Sequence, residues 1–95
     1  MSTSVTLIVT PRAAVDPDRY TGAVPQDISA ALRACEQPEE AGLWCPRSGP
    51  VRLLFHLSGQ DRITAGQRLV DKLRLLGYEV DLALASTCRY ARVQM

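Results

Sequence analysis

His56 is the single imidazole in 95 residues, so any general-base or metal chemistry that uses an imidazole in this chain must pass through it. A nucleophile beside it would have to be a thiol or a hydroxyl, and no spacing brings Cys45 or Cys88 to that position. The three cysteines are odd in number and match neither a zinc nor a dithiol spacing. Reduced thiols are therefore expected, with no disulfide framework and no metal centre.

Two further constellations fail on their details. Ser58 and Gly59 stand between an apolar run and a helical pattern, where backbone N–H groups can hold an anion. Neither a GxGxxG spacing nor a Gly-Lys phosphate loop accompanies them, so Ser58 reads as a helix cap. Asp16, Asp18 and Asp27 resemble the alternating carboxylates of a calcium loop, but Pro17 and Tyr20 interrupt the pattern and Asp27 replaces the long bidentate Glu. A solvated turn is the expectation there.

Nucleic-acid binding needs aromatic platforms with basic neighbours. Trp44, Arg47, Arg52, Arg89 and Arg92 offer a modest rim, but the net charge is only +1 and supplies no long-range attraction. Ten of the eleven basic residues are Arg and only Lys72 is Lys, a skew read as genomic before functional.

The positioning elements follow from periodicity. Val5, Leu7 and Val9 alternate with Thr6, Ile8 and Thr10 as a strand that Pro11 stops. Pro11 to Val24 has no sustained period, predicting a long loop, mobile or ordered by a partner, with Arg19 and Tyr20 as its contact residues. Pro25 and Asp27 open a helix whose Ile28, Ala31, Leu32 and Cys35 share a face before Pro38.

Leu43 to Arg47 and Val51 to Leu57 flank Ser48 and Gly49 and can pair as a hairpin. In the second run Val51, Leu53, Phe55 and Leu57 point to the core, while Arg52, Leu54 and His56 point to an open face. Ser58 with Asp61 predicts the start of a long helix, Ile63, Gly66, Leu69, Val70, Leu73 and Leu76 its buried stripe, and Gly77 its end. Tyr78, Val80, Leu82 and Leu84 then alternate as a strand, and Ser86 to Met95 is a possible last edge strand.

The segment from Leu57 through Tyr78 to Val80, followed by Arg89 to Val93, superficially resembles one half of a peptidoglycan-binding SPOR repeat. The glycine that such a repeat carries in the preceding strand is absent, and no family is assigned on this basis.

Taken in order, the elements predict one α+β domain over residues 1–95, a two-layer sandwich of ferredoxin-like βαββαβ order with a possible extra C-terminal edge strand. The alternative is a small open parallel α/β sheet, disfavoured by the half-polar strands. Val5 to Val9 is too short for a signal h-region or a membrane span, so a cytoplasmic protein is expected. The expected function is non-enzymatic, without cofactor or metal. It is a protein-binding module, such as a small phage or mobile-element inhibitor or adaptor docking on a larger host protein, with self-association through the open sheet face also open. The contact residues would be Ile8, Arg19, Tyr20, Trp44, Arg52, Leu54, His56, Arg89 and Arg92. The alternative is a small RNA- or DNA-binding module using the same face and its Arg rim.

Overall fold

The computed structural model describes residues 3–86. The elements run β1 (Thr3–Thr10), α1 (Gln26–Ala34), β2 (Gly42–Trp44), β3 (Arg52–Leu57), α2 (Arg62–Leu75) and β4 (Glu79–Ser86). The strands form a single four-stranded sheet in the order β2-β3-β1-β4. Leu7 lies opposite Phe55 on one side and Leu82 on the other, and Gly42 lies opposite Leu54, every pairing being antiparallel. The molecule is a small α+β fold, and the open parallel sheet does not form. Each helix instead connects two strands that have a third strand between them. The predicted last strand from Ser86 to Met95 lies outside the described residues apart from Ser86, which ends β4.

The hairpin is shorter than its apolar pattern. β2 spans Gly42–Trp44 rather than Leu43 to Arg47, and β3 begins at Arg52. Pro46 and Pro50 lack the N–H that a ladder needs, so pairing stops before the first and resumes after the second.

One face of the sheet holds the core. Val5, Leu7, Val9, Leu53, Phe55 and Val80 pack with Ile28, Ala31 and Leu32 of α1 and with Leu69 and Leu73 of α2. Helix α2 settles close to the sheet at Gly66, where a Cβ would stand 2.9 Å from Leu82 Cδ1 and 3.1 Å from Leu57 Cδ1. Its stripe is narrower than predicted. Gly66, Leu69 and Leu73 are buried and Val70 is half-buried, whereas Ile63 and Leu76, at the two ends, are 40% and 41% exposed.

Helix α2 also starts later than expected. Asp61, not Ser58, is its N-cap, and neither residue supplies a side-chain cap. The Ser58 backbone N–H donates to Gln37 Oε1 at 2.8 Å, and Gly59 takes a left-handed φ of +94°, so the chain turns once more before the helix begins. Gly77 ends α2 as predicted. The Gly77 N–H donates to the Arg74 carbonyl and the Tyr78 N–H to the Leu73 carbonyl, the paired closure of a left-handed helix stop. Helix α1 ends with the same bond pair, from Glu36 to Arg33 and from Gln37 to Leu32, although a glutamate at φ +56° occupies the left-handed position.

The segment between β1 and α1 is laid down on the domain, contrary to the expectation of a loop with nothing to hold it. Tyr20 and Val24 pack against the core, and the Tyr20 hydroxyl donates to the Ala23 carbonyl at 3.2 Å. Asp16 closes a turn by accepting the Asp18 N–H on its side chain at 3.0 Å. Arg12 then ties the segment to both helices, donating to Asp27 in α1 and to the carbonyl of Leu76 after α2.

Candidate docking surface on the open sheet face

Both helices cover the odd-numbered side chains of β1 and β3, which leaves the even-numbered side uncovered by either helix. Pairing aligns this second face in rows across the strands. Gly42, Leu54, Ile8 and Asp81 form one row, and His56, Thr6 and Ala83 the next. On the other side of the first row, Trp44 faces Arg52, and Thr10 faces Glu79.

The Arg52 guanidinium lies over the Trp44 ring at 4.9 Å from its centroid, a cation–π stack. Arg52 Nη1 also reaches toward the exposed Asp81 Oδ2 at 4.0 Å, a long pair that contributes little to stability. Trp44 Nε1 and Arg52 Nε are buried donors with no acceptor among the described residues. In the adjacent row Thr6 Oγ1 and His56 Nδ1 lie 3.2 Å apart, with the imidazole exposed.

Leu54 corrects the expectation of an exposed aliphatic side chain. It lies on the open face as its parity requires, yet it is only 8% exposed. Its row neighbours are Gly42 and Ile8, and Arg52 and His56 flank it along its own strand, so same-face side chains shield it without any covering helix. Ile8 is half-buried for the same reason.

The structure brings together Ile8, Trp44, Arg52, Leu54 and His56, and separates them from the loop residues. Tyr20 is half-buried against the core on the helix side, so it anchors the loop rather than offering a free contact. Arg19 is exposed and pairs loosely with Asp16 at 3.8 Å. Arg89 and Arg92 lie outside the described residues. Glu79 and Asp81 belong to the same open face and were not among the expected site residues, although the alternation of β4 already put them opposite Tyr78 and Val80.

Other concave regions include two on the helix side of the described residues. A polar cleft of about 540 Å³ lies between the end of α1 and the start of α2, lined by Cys35, Gln37, Ser58, Asp61, Thr64 and Arg68 among others. Gln37 crosses it, its amide donating to the Ser58 carbonyl at 3.0 Å while accepting the Ser58 N–H. Cys35 packs against the core on the helix side while His56 is exposed on the other face of the sheet, so no thiol–imidazole pair is assembled from them.

A smaller cavity of about 280 Å³ lies under the β1–α1 segment beside Tyr78. There the Tyr78 hydroxyl donates to Asp27 at 2.8 Å, and Arg12 stacks 4.2 Å from the centre of the Tyr78 ring. Burial pushes the Tyr78 phenol above its ordinary value of 10.0, and the bond and charge of Asp27 add to this, with Arg12 opposing. A raised phenol pKa favours the neutral form in the folded state. The associated stability is fully present below pH 10 and lost as pH rises through the folded value. We expect the melting temperature to fall more steeply above pH 10 in the natural chain than in Tyr78→Phe, with a residual fall in the variant because burial also raises the Tyr20 phenol. Equal slopes for the two proteins in an alkaline melting series would remove Tyr78 from this role.

No protein-family model matches the chain, and neither a curated protein nor a solved structure matches it significantly.

Proposed function

We propose that this chain is a non-enzymatic docking module of ferredoxin-like build whose protein partner seats on the open sheet face. The strand order β2-β3-β1-β4, with a helix between each pair of strands that sandwich a third, supports the fold assignment. The observation that carries the functional reading is the Trp44–Arg52 stack. It presents an aromatic ring and a guanidinium, the side chains that dominate protein interfaces. Nucleic acid is the weaker reading, because the same face carries the exposed carboxylates of Glu79 and Asp81, which repel phosphates. No described helix is long and apolar enough to cross a membrane, and the free thiols of Cys35 and Cys45 suit a reducing cytoplasm.

The test is capture from the source cell with immobilised protein, comparing the natural chain with Trp44→Ala and with Arg68→Ala on the helix side. A captured protein should be weakened roughly 30-fold by Trp44→Ala, about 2 kcal/mol for an interface anchor, and left unchanged by Arg68→Ala. Melting curves establish that both variants are folded. Capture that ignores Trp44, or a captured species that is nucleic acid released steeply by salt, would overturn the reading.

A further inference from the structure

The open face is uneven across its width. Its β2–β3 half carries Trp44, Arg52 and His56, its β4 half carries Glu79 and Asp81, and Ile8 and Leu54 lie in the row between the two strand ends. Resting on the docking reading above, we propose that the occupant of this face is a second copy of the chain. The two copies are related by a two-fold axis that lies in the interface and runs along the strands.

Such an axis exchanges the halves while keeping each row at its level. In the sheet order β2-β3-β1-β4, it lays β3 over β1 of the second copy and β2 over β4 of the second copy. Trp44 and Arg52 share a level with Thr10 and Glu79, one step beyond the Val9–Leu53 pair. Trp44 and Arg52 of one copy therefore lie opposite Glu79 and Thr10 of the other, which puts the guanidinium one strand spacing from the Glu79 carboxylate. A two-fold axis across the strands would instead set β4 on β4 and acid near acid. Two sheets packed face to face stand about 10 Å apart, a gap that an arginine and a glutamate span together.

The competing contact within the chain is weak. Arg52 and Asp81 are 4.0 Å apart with side chains 29% and 69% exposed, so exchanging this pair for one across the interface forfeits little. The size of the face limits the strength of the dimer. Four strands of this length cover roughly 20 by 20 Å, which places the buried area at the low end for specific interfaces. Association is therefore expected at high chain concentration.

Sedimentation equilibrium of the full chain, from micromolar to near-millimolar concentration, reads this directly. The mass should rise from 10.4 kDa toward twice that value. Arg52→Glu and Glu79→Arg should each hold the chain as a monomer, because each sets like charges against each other in both symmetric pairs. Mixing the two variants should restore association, since both cross-copy pairs are then opposite in sign. If melting curves show that Arg52→Glu does not fold, Glu79→Gln at its exposed position decides, with a loss of at least about tenfold expected. A natural chain that stays monomeric throughout overturns the second copy as occupant, and the docking reading then stands or falls on the Trp44-dependent capture. A natural chain that dimerises while the mixture does not overturns the proposed axis.

Discussion

Leu54→Asp is expected to destabilise the domain by at least about 3 kcal/mol, a large share of the total stability of a chain this size. Leu54 sits in the row between Gly42 and Ile8 and is 8% exposed, so a carboxylate there loses hydration that a surface residue would keep. Arg52, two residues away on the same strand face, softens the penalty through its charge but is itself committed to Trp44. Urea denaturation checks the result. A loss below about 1 kcal/mol would mean that the side chain is solvated and that the open face is bare rather than self-shielded.

Leu73→Ala is expected to cost about 2 to 5 kcal/mol, and Leu75→Ala to stay within about 0.5 kcal/mol of the natural chain. Leu73 is completely buried between α2 and the sheet, whereas Leu75, two positions on, is 88% exposed on the outer side of the same helix. Alanine is also the stronger helix former, which offsets what little packing Leu75 loses. Matched denaturant melts of the two variants test the helical phase, and equal losses would place α2 in another rotation against the sheet.

Much of the frame was legible in single residues. Alternation through β1, β3 and β4 assigned each side chain to a face, because successive residues of a strand must point in opposite directions. Gly77 marked the end of α2 because glycine takes the left-handed φ of +93° found there without steric cost. The same logic missed the end of α1, where Glu36 holds a left-handed φ that its residue type does not advertise. It also misplaced the start of α2 at Ser58, whose backbone is claimed by Gln37 from 21 residues away.

The amino-acid sequence by itself determined which way each side chain faces along a strand and which leucines of α2 face inward, since both depend only on local backbone geometry. Tertiary structure alone decided how deeply those side chains are buried and which of them meet. Leu54 is shielded because pairing with β2 and β1 sets Gly42 and Ile8 beside it, and Ile8 meets Leu54 only through the sheet, from far along the chain. The loop is held because Arg12 reaches Asp27 and the carbonyl of Leu76, contacts that no window of residues contains. The open face acquired its acidic half for the same reason, since Glu79 and Asp81 join Trp44 and Arg52 only after β1 has paired with both β3 and β4. Periodicity encodes direction, while burial and encounter arise from partners distant in sequence.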